Sequence, residues 1–81
     1  MLNAKQLMDK EFLETRCMLI EIAATLDRID RAQQRDEDPS AANDTRLEIL
    51  YRAIDLIGQR EATPDRAERM LNLFTELAES P

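Results

Sequence analysis

Apolar positions recur along this chain at helical spacing, and no stretch sustains the strict alternation of a strand. Met8, Phe12, Thr15, Leu19, Ile22, Leu26, Ile29 and Gln33 step alternately four and three residues apart. That heptad-like seam predicts a long first helix over about 3–35. Its end carries Arg28, Arg31 and Arg35, where the helix dipole favours cations. A polar stretch with Pro39 and Asp36-Glu37-Asp38 follows, predicting a loop over about 36–43. A start at Asp38-Pro39 would shorten that loop.

A second helix is predicted over 44–60, with Thr45 and Glu48 at capping-box spacing. Leu47, Leu50, Tyr51, Ile54 and Ile57 form its expected core face, and Ile49, Ala53 and Leu56 widen it past half the circumference. A helix that apolar is expected to be covered on more than one side. The third helix, over 64–79, is expected to start with Thr63 as N-cap and Pro64 in its first position. Ala67, Met70, Leu71, Phe74, Leu77 and Ala78 make its stripe, with Leu73 at the edge. Joined as one helix, the second and third would carry apolar faces out of phase by about 100°. A reorientation near residues 61–63 is therefore expected, in preference to one kinked helix.

The fold expectation is an all-α, three-helix chain forming an antiparallel bundle in a single domain over 1–81. A chain of 81 residues rarely gains more than about 3–5 kcal/mol from its own core. One cysteine excludes an internal disulfide. Helix 1 also carries a second seam, Leu13, Cys17, Ile20 and Ala24, well around the helix from the first. If the first seam faces the chain's own bundle, the second suits another subunit, and a homodimer through helix 1 is expected. The competing reading lets both seams serve one monomer.

Composition narrows the chemistry. With 11 basic and 17 acidic residues, the net charge of −6 gives nucleic acid and anionic membranes no electrostatic attraction. A basic protein partner would suit it better. The most apolar run, Cys17 to Leu26, contains Glu21 and is far shorter than the roughly 20 residues that span a bilayer. No secretory signal is read at Met1, and with a lone thiol the expected compartment is the cytoplasm. A single glycine cannot build a phosphate-cradling loop, and the absence of histidine removes the usual general base and metal ligand.

The carboxylates Glu11, Glu14, Glu21, Glu48 and Asp55 read as solvated faces, since di-iron bundles add a Glu-x-x-His motif. Cys17 lies mid-helix in an apolar run and reads as a buried small residue. Arg16 falls between the two seams and is expected to be partly buried against a carboxylate, or to anchor an anion. No catalytic, cofactor-binding or metal-binding residue is assigned.

The stretch Leu26-Asp27-Arg28-Ile29-Asp30-Arg31 resembles the Ile-Asp-x-Ile-Asp opening of the small all-helical chorismate mutases. That resemblance implies a dimer of three-helix chains with a pocket between subunits. In that family the motif opens the long helix, whereas here it stands near the helix end. The first expectation for function is a non-enzymatic, self-associating interaction module. The alternative is a small dimeric enzyme or ligand-binding protein with Arg16 as its anchoring cation.

Overall fold

The computed structural model describes residues 1–35, 44–61 and 63–79, the last three by their backbone. It is all-helical among these residues, with α1 over Ala4–Arg35, α2 over Thr45–Ile57 and α3 over Arg66–Glu79. The expected loop over 36–43 and the side chains of Leu77 and Ala78 lie outside the described residues. Two compact units result, one containing α1 and the other α2 with α3.

At the start of α1, Asn3 and Gln6 cap one another. The Gln6 N–H donates to Asn3 Oδ1 at 2.8 Å, and the Asn3 N–H donates to Gln6 Oε1 at 2.9 Å. Two amide side chains thus do the work of the Ser/Thr–Glu capping box, satisfying free N–H groups of the first turn. The helix runs 32 residues to Arg35, as the seam predicts, and none of its residues is buried. Leu26, Ile29, Ala32 and Gln33, towards its end, are half-buried.

The expected Thr45–Glu48 box at the start of α2 is replaced by Asp44, whose carboxylate accepts the Arg46 N–H at 2.9 Å. Asp44 carries the same short acceptor one residue earlier, and the Arg46 guanidinium closes on it at 2.7 Å. α2 stops at Ile57, three residues short of expectation. The Arg66 guanidinium then donates to the Gln59 carbonyl through Nε at 3.2 Å and again through Nη2, and Nη2 reaches the Arg60 carbonyl at 3.3 Å. A cation thereby serves two carbonyls of the turn that follows α2 and ties that turn to α3.

α3 begins at Arg66, beyond the expected Thr63-Pro64 start. Asp65 takes the cap position, because its carbonyl accepts the first helical bond, from Arg69 N–H at 3.0 Å. Thr63 supports it by donating its hydroxyl to Asp65 Oδ1 at 2.8 Å.

α2 and α3 pack together through Ile49, Ala53 and Leu73, the buried core among the described residues, with Met70 against it. This reverses the expected ranking of faces. Ile49, Ala53 and Leu73 sat at the margins of the predicted stripes, whereas Leu50, Tyr51, Ile57, Leu71 and Phe74, expected in the core, are exposed. Ala53 presents only a methyl at this contact, and Ile49 from α2 and Leu73 from α3 are the large side chains buried with it. Arg52 Nη2 reaches Glu76 Oε2 at 3.4 Å across the same pair of helices.

Candidate interaction surface

α1 places the four residues of the second seam along one face of a continuous helix. Leu13 is 67% exposed, Ile20 is 52% exposed, and Cys17 is also exposed. Ala24 is half-buried. Within one chain, Cys17 is therefore open to solvent instead of enclosed. The first seam is likewise open over its first half, with Phe12 58% exposed. Gln33 closes that seam with its Nε2 shielded and without a hydrogen-bond partner among the described residues.

Arg16, expected to be partly buried against a carboxylate, is exposed and forms no ion pair among the described residues. Among the described residues α1 forms an ion pair between Lys5 and Asp9 at 3.1 Å, one turn apart and largely in solvent. Near the other end, Thr25 Oγ1 donates to the Glu21 carbonyl at 2.9 Å, and Arg28 Nη2 donates to Thr25 Oγ1 at 2.9 Å. These local bonds hold side chains along the helix and leave the apolar seams clear.

Charge is divided unevenly along the chain. α1 contains six basic and six acidic residues and is electroneutral, so the whole net charge of −6 falls outside it. The helix with the most exposed apolar surface thus carries no net field against a second copy of itself.

Sequence reasoning missed the two residues that bound the second seam. One further step of three residues at each end reaches Lys10 and Asp27, both exposed. The signal was present in the spacing, but a search confined to apolar residues stops at Leu13 and Ala24.

On the other unit, Arg52, Asp55, Leu56, Gln59, Arg69 and Leu73 line a shallow, open hollow. Two guanidinium groups and one carboxylate there stand over apolar side chains. Among the described residues Asp44 and Arg46 are the titratable groups shifted by their surroundings. The side-chain hydrogen bond from Arg46, then the Arg46 backbone N–H, lower the pKa of Asp44 from 3.8 to about 2. The same pairing raises the pKa of Arg46. Among the described residues no group of three or more acidic or cysteine side chains could hold a metal ion, and no helix is long and apolar enough to cross a membrane.

No protein-family model matches the chain, and no curated protein or solved structure does so.

Proposed function

We propose that this protein is a non-enzymatic interaction module that self-associates through α1, with Leu13, Cys17, Ile20 and Ala24 at the contact. The observation that carries this reading is a 32-residue helix with no buried residue and large apolar side chains exposed on more than one face. An isolated helix gains little in water beyond its backbone bonds, and its persistence in proteins rests on covering an apolar face. Symmetric pairing of two copies covers such a face with no further component. The electroneutrality of α1 favours that pairing. The acidic remainder of the chain favours a basic protein as any additional partner, acting through association rate and specificity. A single free thiol suits the reducing cytoplasm.

Sedimentation equilibrium at micromolar concentration tests the reading. The expected mass is twice the 9.4 kDa of one chain. Ile20→Glu places a charge on the contact face and is expected to return the mass to that of one chain. A wild-type chain that sediments as a monomer refutes self-association. An Ile20→Glu variant that stays dimeric moves the contact to another face.

A further inference from the structure

Which way the two helices run is encoded in the seam itself. We propose that two copies of α1 pair antiparallel about a two-fold axis level with Met18 and Leu19, closed at each end by an ion pair between Lys10 and the partner's Asp27. The inference rests on the self-association above and adds an orientation and an electrostatic lock to it.

Shape makes the first argument. The seam contains two large residues, Leu13 and Ile20, and two small ones, Cys17 and Ala24. Antiparallel about that axis, Leu13 faces the partner's Ala24 and Ile20 faces the partner's Cys17. Every layer then combines one large with one small side chain, so the helices stay evenly spaced and the layers interdigitate. Parallel pairing would set leucine on leucine, cysteine on cysteine, isoleucine on isoleucine and alanine on alanine. Wide and narrow layers would alternate, leaving voids at the narrow ones that cost stability.

Charge makes the second argument independently. The same antiparallel register brings Lys10 level with the partner's Asp27, at both ends of the contact. Parallel pairing would oppose Lys10 to itself and Asp27 to itself. Both side chains are exposed in the single chain and are free of ion pairs among the described residues. Helix dipoles also favour opposed directions. Against this stand two like-charge contacts, the first being Glu14 beside the partner's Glu21 on one flank, where both groups are solvated and the repulsion is screened. On the other flank Asp9 comes beside the partner's Asp30, but Asp9 already carries the Lys5 ammonium at 3.1 Å.

A charge-reversal cycle on the full chain reads the orientation. Lys10→Glu sets a carboxylate against the partner's Asp27 twice per dimer, and is expected to weaken dimerisation about tenfold. Asp27→Lys should weaken it similarly, and the double variant should recover wild-type affinity by exchanging the two signs. Sedimentation at a series of concentrations measures all four dissociation constants. A wild-type dimer indifferent to either reversal, or weakened by both with no recovery in the double variant, overturns the antiparallel lock while leaving self-association standing. A monomeric wild type overturns both.

Discussion

At the scale of single residues, the helix starts are set by short polar side chains at particular offsets. Asn3 with Gln6, and Asp44, present side-chain acceptors to N–H groups that would otherwise lack partners, while at the start of α3 the Thr63 hydroxyl donates to the Asp65 carboxylate. Asp44 carries a pH dependence that can be measured. Its folded pKa of about 2 lies below the ordinary value of 3.8, so its contribution to stability is fully present above pH 3.8. The contribution is lost as pH falls through about 2, when protonation removes the anion that faces Arg46 and the helix N-terminus. Asp44→Asn keeps an acceptor at the cap and discards the charge. Thermal melts between pH 4 and pH 2 should show a steeper fall in wild type than in this variant. Parallel slopes would remove Asp44 from the acid response.

At the scale of elements, the positions of the three helices were legible because period and punctuation agreed. The 3/4 spacing marked α1 as far as Gln33, two residues before its end, and the Thr-Pro break fell between α2 and α3. The buried face of α2 was not legible, for a physical reason. A helix apolar over more than half its surface offers several equivalent faces, and helical spacing centres the expected one on Leu47, Leu50, Tyr51, Ile54 and Ile57. Packing ranks them by how closely a neighbour can approach, which favours the small Ala53 between Ile49 and Leu73. The cap of α2 was misplaced because Asp44 and Thr45 are adjacent competent acceptors, and the guanidinium of Arg46 selects the first. The spacing of Leu13, Cys17, Ile20 and Ala24 along α1 was open to a search for apolar residues, whereas Lys10 and Asp27, which the proposed pairing adds, lie outside such a search. Truncating α3 tests the face assignment. Leu73→Ala removes a buried side chain and should destabilise the α2–α3 unit by about 2–5 kcal/mol. Leu71→Ala, at a site 70% exposed, should change it by no more than about 0.5 kcal/mol. Urea unfolding followed by circular dichroism distinguishes the two. Equal effects would mean that the broader stripe, and not Leu73, carries the packing.

At the scale of the whole molecule, three buried side chains among the described residues belong to α2 and α3, and α1 has none. The free energy that holds α1 helical must then depend on what covers its exposed faces. If the cover is a second copy, stability is a function of protein concentration, because a partner that binds only the folded helix stabilises it by mass action. Amide hydrogen exchange can locate that dependence along the chain. At concentrations well above the dissociation constant, amides between Phe12 and Leu26 should be protected. Dilution below it should accelerate their exchange, since a lone helix of this length frays and reforms readily in water. The amides of α2 and α3 that surround Ile49, Ala53 and Leu73 form their core within one chain, and their exchange should be indifferent to dilution. Lys10→Glu should reproduce the effect of dilution at a fixed concentration, linking the loss of protection to the proposed ion pair. Protection of α1 that is independent of concentration would show that another copy does not cover it.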